Sequence, residues 1–190
     1  MWALRSAGVE LVISLAAVGG ITELCAAGTL VIPDQILDYT YGREHTFGDS
    51  QDGPVQHFDF TYPYCDALRQ HFFNAGRNQG IALIESGTYA AVQGPRFETA
   101  AEIDRLERDG ADIVGMTGMP EAALARELGM CYATIALVVN RAAGRGAGEI
   151  SETEINKVVT DTGSKVYRLL AALMPTLGSI RYSAPLAVSV

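Results

Sequence analysis

The 190-residue chain carries 14 basic and 22 acidic residues, a formal charge of −8, with 48% hydrophobic residues. This is enough apolar chain to bury the core of one domain, and it leaves no basic face to displace counterions from nucleic acid or an anionic membrane. Cys25, Cys65 and Cys131 lie far apart without CxxC spacing, so neither a metal knuckle nor a disulfide framework is expected, and a reducing cytoplasm fits.

In chain order, MWALRSAG reads as the last turns of a helix closed by Gly8, with no start signal before it. The chain is therefore expected to open inside an element. Glu10 interrupts the apolar run that follows, which argues against an export signal or a membrane span. Branched apolar runs predict strands at 9–18, 29–38, 81–94, 111–116 and 131–140, each short for a helix. Between them, helical spacing stopped by glycine predicts helices at 63–80, 98–110 and 120–129. A last helix over 151–174 opens on Ser151 with Glu154 three residues on, a capping-box pattern. Residues 38–62 form a long polar and aromatic excursion, and residues 175–190 a tail after a domain spanning 1–174.

Alternating strands and helices predict an α/β domain with a mixed, largely parallel sheet flanked by helices. Ligands in such sheets bind beyond the carboxyl ends of strands. Four segments meet that rule: AAVGGI, VQGPRFE, VGMTGMPE and VVNRAAG. Each residue in them also has an ordinary explanation. Glu98 suits the positive end of a helix; Phe97 suits a core and Met116 a gap in one. Thr117 and Asn140 are turn formers, and His57 has no second ligand at metal spacing. AAVGGI lacks the dinucleotide spacing, and no G-x-S-x-G elbow is present.

Taken together, GTYAAVQGPRFETAAE, GADIVGMTGMPEAALARELGMCYATIALVVN and GREHTF resemble the trimeric purine nucleoside phosphorylases, especially their methylthioadenosine and methylthioinosine branch. The likeness runs from WALRSAG through VYRLLAAL. It implies a homotrimer that cleaves a purine nucleoside with inorganic phosphate as co-substrate, and no metal or organic cofactor. By position, the resemblance implies that Phe97 packs on the purine face and Glu98 bonds the base edge. It also matches Met116 to a ribose contact, Thr117 to a phosphate hydroxyl, Ala17 to a backbone phosphate contact, and Asn140 to the residue facing the purine five-membered ring. His57 matches a residue reaching the neighbouring subunit's 5′ pocket, and Arg96 is read as loop support.

Adenine-specific relatives in this family carry a small residue where Glu98 stands and an aspartate where Asn140 stands. An amide can donate to the 6-oxygen and accept from a protonated ring nitrogen, whereas an aspartate suits an amino group. The resemblance thus favours S-methyl-5′-thioinosine, with inosine or guanosine next, a methylthioadenosine phosphorylase as the other alternative, and a water-using nucleosidase or an inactive purine-binding fragment behind them. GEISETEI, expected beside the 5′ pocket, is more polar than a thioether wants. The family's leading glycine-rich phosphate loop and arginine–histidine pair have no counterpart here. On that ground the chain is expected to be N-terminally truncated and weak in phosphorolysis, Arg43 and His45 being the only substitutes on offer.

Overall fold

The computed structural model describes residues 1–48, 57–180 and 182. Helix α1 (Trp2–Ser6) leads into β1 (Leu11–Gly20), followed by β2 (Leu30–Val31), β3 (Gln35–Asp38), α2 (Asp66–Gln79), β4 (Thr88–Ala91), α3 (Ala100–Arg108), β5 (Ile113–Gly115), α4 (Gly118–Glu127), β6 (Cys131–Arg141) and α5 (Glu152–Leu173). Gly8, at φ +84°, follows α1 as the sequence suggested. Met119 inside α4 is not helical, so the regular helix begins at Pro120. The 29–38 run divides into β2 and β3 at Pro33, which has no N–H to give to a ladder.

The sheet is ordered β2-β6-β1-β5-β4-β3. β1 runs parallel to β6 from Leu11 to Gly20, and β3, β4 and β5 run parallel to one another. The two blocks meet antiparallel, through Gly19↔Val114 and Gly20↔Ile113. The sheet is thus mixed, and the carboxyl ends of β4 and β5 point the opposite way from those of β1 and β6. The four segments therefore do not all leave the sheet at one carboxyl edge. AAVGGI is also no loop, because β1 continues through Gly20.

Alternation along β6 sets the layers. Cys131, Ala133 and Ile135 pack with Leu68 and Phe72 of α2 and Leu169 and Leu173 of α5, while Tyr132 faces Ala122 and Ala125 of α4. α3 packs Ile103 and Leu106 on Ala90 and Val114. Each fully buried aliphatic or aromatic side chain in these layers contributes on the order of 1.5–3 kcal/mol. Tyr64 is buried and stacks on Tyr132 with ring centroids 6.2 Å apart. Residues 49–56 of the long excursion lie outside the described residues. Of the tail, residues 174–179 form a 3-10 turn, with Thr176 Oγ1 3.0 Å from His71 Nδ1; residues 181 and 183–190 lie outside the described residues.

Two local expectations fail for identifiable reasons. The Ser151 side chain makes no cap bond, whereas Thr99 and Glu102 form a reciprocal capping box at α3, the kind of cap worth about 1 kcal/mol. The absence of a disulfide is also overturned: Cys65 at the start of α2 bonds Cys131 at the start of β6, with Cα atoms 5.2 Å apart. Sequence spacing could not show this, because the two are 66 residues apart and only the packing of α2 on β6 brings them together. Cross-linking a loop of this length removes on the order of 4 kcal/mol of chain entropy from the unfolded state. Calorimetry with and without reductant should therefore show a melting temperature lower by several degrees on reduction and in Cys65→Ser; identical melting would contradict a stabilising bridge.

Candidate active site

N-terminal to Gly19, β1 keeps β6 on one flank but has no ladder to β5 on the other, which leaves a notch in the sheet beside Ala17. Ala17 is exposed within the strand and pairs with Leu137 on its other side. Thr117 is exposed at the end of β5. Its N–H donates to the Tyr89 hydroxyl at 3.3 Å, and the two hydroxyls also lie 3.3 Å apart. Tyr89 is fully buried, and the neighbouring positions must be glycine to admit its ring: a Cβ at Gly115 would sit 2.4 Å from the Tyr89 hydroxyl, and one at Gly118 would sit 2.8 Å from the ring.

The turn 92–98 leaves β4 beside this notch, with Val92 N–H donating to Gly115 O at 2.8 Å. Gly94 adopts φ +63°, and a Cβ there would come within 2.4 Å of Met116 Sδ, so Gly94 lets the two turns touch. Arg96 explains the crowding that follows. Its guanidinium donates to both oxygens of Glu102 at 2.8 and 2.7 Å, and to Phe97 O at 3.1 Å. Glu102 also accepts from Thr99 N–H, and Arg96 together with these bonds lowers its carboxyl to about 2. Arg96 therefore braces the turn against α3. Phe97 is left 50% exposed, which excludes its ordinary reading as a core residue.

Glu98 is half-buried and stands just outside the capped helix. Desolvation raises its carboxyl above the usual range, and the nearby Glu102 charge adds to this. It lines a cavity of about 230 Å³ with Tyr39, Tyr41, Gln93 and Arg105. Asn140 lies within β6 rather than in a turn and donates to Arg141 O at 2.7 Å. It lines a different cavity, of about 520 Å³, with Arg141, Glu149, Glu154, Lys157 and Asp161. Two contacts link these regions: Asn140 and Val114 both flank Gly19, and a Cβ at Gly144 would meet Ala100 Cβ at 2.7 Å. The structure thus brings Met116, Thr117 and the 92–98 turn together around the notch. It keeps Glu98 and Asn140 in separate cavities and leaves His57 on the surface.

One residue at the site, Tyr89, was not named from the sequence, and a second, Arg43, was named only as a stand-in for the missing phosphate grip. Tyr89 looked like any strand aromatic, and only the adjacent glycines signalled its bulk. Arg43 was read as a substitute phosphate grip, but its donors are spent on main-chain carbonyls of Val92, Gln93, Met116 and Met119. His45 lies 3.7 Å from Asp38. Among the described residues, no group of three or more His, Cys, Asp or Glu could hold a metal ion, and no helix is long and apolar enough to cross a membrane.

Residues 1–175 match the model of the phosphorylase superfamily. The chain is 50% identical over 174 residues to a Pseudomonas syringae pv. tomato protein named "Probable S-methyl-5'-thioinosine phosphorylase", covering 92% of this chain and 71% of that one. It is 43% identical over 182 residues to the 6-oxopurine nucleoside phosphorylase of Pyrococcus furiosus, covering 93% and 69%. Among solved structures, a double mutant of adenosine/methylthioadenosine phosphorylase from Schistosoma mansoni in complex with adenine superposes with a TM-score of 0.90 at 28% identity, over 94% of this chain and 70% of that one. By sequence and by fold, the chain belongs to the phosphorylase superfamily.

Proposed function

We propose that the chain is a pentosyltransferase that cleaves a 6-oxopurine 5′-methylthionucleoside, S-methyl-5′-thioinosine, with inorganic phosphate, giving hypoxanthine and 5-methylthioribose 1-phosphate for purine salvage. The observation that carries the choice of base is the joint presence of a half-buried Glu98 carboxyl and the Asn140 amide. The names of the relatives from Pseudomonas syringae and Pyrococcus furiosus support it.

In this reading an oxygen of hydrogen phosphate bonds to the anomeric carbon as the glycosidic bond breaks, the bonding electron pair passes into the purine, and the proton lost from phosphate ends on the five-membered ring, so that the base leaves as neutral hypoxanthine. Donors aimed at the base then act on charge that develops only in the transition state. Asn140 would turn its amide from Arg141 O to the base, donating to the 6-oxygen and accepting from the protonated five-membered ring. Glu98 would accept from the N–H of the six-membered ring, and Phe97, already exposed, would cover the purine face. Met116 would contact the ribose, while Thr117 and the backbone of Ala17 would hold phosphate across the notch.

A second reading, inosine or guanosine as substrate, draws support from the cavity beside Asn140. Glu149, Glu154, Lys157 and Asp161 line it, and such groups suit a 5′-hydroxyl better than a thioether. The proposal also includes a homotrimer, with His57 at a neighbouring 5′ pocket, and a cytoplasmic location. The Cys65–Cys131 bridge withdraws cysteine usage as an argument for that location.

Three measurements test the proposal. Steady-state assays on Asn140→Asp should shift the ratio of kcat/KM for methylthioinosine over methylthioadenosine by about 100-fold toward the amino base, since sites that hydrogen-bond a substrate group reject its analogue by large factors; an unchanged ratio would sink the assignment of Asn140. Glu98 must be ionised to accept a base N–H, and its carboxyl titrates above the ordinary range. Hypoxanthine affinity should therefore be complete above that raised value and fall as pH drops through it, with the pH-dependent limb absent in Glu98→Gln. Light scattering should give a trimer mass; a folded, active monomer would remove His57 from the site.

A further inference from the structure

Arg43 lies on neither turn of the candidate site, yet its side chain bonds both. Arginine has five N–H donors in a planar fork, and every one is used. Nε–H donates to Gln93 Oε1 at 3.2 Å. One terminal nitrogen donates to Met116 O at 2.9 Å and to Met119 O. The other donates to Gln93 O at 3.0 Å and to Val92 O at 3.4 Å. One fork thus holds two carbonyls from the turn after β4 and two from the turn after β5. With all five donors committed, none remains for a phosphate.

The segment carrying Arg43 is itself anchored on both flanks. Tyr39 hydroxyl donates to Asp109 at 2.5 Å, and Tyr41 N–H donates to Gln93 Oε1 at 3.2 Å. Further on, Thr46 hydroxyl and Phe47 N–H donate to Glu127. The segment therefore runs from the end of α3 to the end of α4, with Arg43 at its centre. The acids near it are engaged elsewhere: Asp38 accepts from Thr40, and Glu127 from Thr46 and Phe47. Charge pairing does not explain the placement, whereas holding four carbonyls at fixed separation does.

We propose that Arg43 is a positioning residue that fixes the 92–98 turn against the Met116–Thr117 turn, and so sets the distance between purine and the ribose and phosphate across the bond that breaks. This rests on the phosphorolysis reading for its chemical consequence. The consequence is large because displacement of one reactant by about 1 Å can cost about 100-fold in rate. Lysine cannot replace it, since an ammonium has three donors and no fork.

Hydrogen exchange on the full chain and steady-state kinetics test this together. In Arg43→Lys, amides of residues 92–98 and 116–120 should both exchange about tenfold faster, while α2 and β6 keep their protection. kcat per titrated site should fall about 10- to 100-fold, with KM for nucleoside and for phosphate each within about threefold of the parent. Guanidinium ion at low concentration should restore part of kcat in Arg43→Ala, and methylammonium should not. Should Arg43→Lys fail to fold, Gln93→Ala removes a single acceptor and leaves the charge, and it should show the same paired exchange at smaller amplitude. Faster exchange in only one turn, or in neither, overturns the proposal, as does a kcat per site within about twofold of the parent in a variant that folds. A parent chain that turns over no nucleoside would defeat the phosphorolysis reading instead, and paired exchange would still decide whether Arg43 joins the turns.

Discussion

The molecule depends on the end of β1, where one strand must serve two blocks of sheet running in opposite directions. Gly19 and Gly20 make this possible. A Cβ at Gly19 would press Val114 of the facing block at 3.2 Å, and one at Gly20 would fall 1.8 Å from Cys25 O in the loop that follows β1, so a larger residue at Gly19 would crowd the junction and one at Gly20 would displace that loop. Because β5 pairs with only these two residues of β1, the ladder stops early and leaves the notch beside Ala17. The same pairing fixes where Met116 and Thr117 emerge, and it sets Asn140 across Gly19 from Val114.

What surrounds the notch is held largely by arginines donating to backbone carbonyls. Arg43 ties the two substrate-side turns, Arg141 donates to Ile21 O and Thr22 O beside the bend after β1, and Arg69 donates to Pro33 O and Glu85 O where β2 gives way to β3. Irregular backbone near a core cannot leave its carbonyls unpaired without a cost of about 1–3 kcal/mol each. A fork with five donors answers several at once. In an acidic protein these cations do structural work at fixed places rather than forming a basic surface.

Much of this was legible in the sequence, and the rest was hidden for physical reasons. α2, α3 and α5 carry helical spacing that local propensity supports, and Gly80 and Gly110 close the first two at positive φ. The 81–94 run looked like one strand because apolar content cannot distinguish a continuous strand from a broken one; Thr88–Ala91 forms β4, and Ile84 makes only an isolated parallel bridge to Val31 of β2. A mixed, largely parallel sheet was legible, but where the direction reverses was not, since that is decided by non-local pairing of Gly20 with Ile113. The candidate side chains Phe97, Glu98, Met116, Thr117 and Asn140 were named from motif resemblance, and their roles belong to the proposal. Arg43 could not be assigned its partners, because every residue has a carbonyl and nothing in the sequence marks which ones an arginine will find. Cys65 and Cys131 were missed for a similar reason, their proximity being a product of packing.

The central claim is that this site transfers a pentosyl group from a 6-oxopurine to phosphate. Phosphorus NMR on the chain mixed with S-methyl-5′-thioinosine and phosphate, with hypoxanthine followed in parallel, tests it most directly. The account predicts a sugar 1-phosphate that appears one for one with hypoxanthine, and no base release when phosphate is withheld. Hypoxanthine released at the same rate in phosphate-free buffer, with free sugar as the other product, would contradict it.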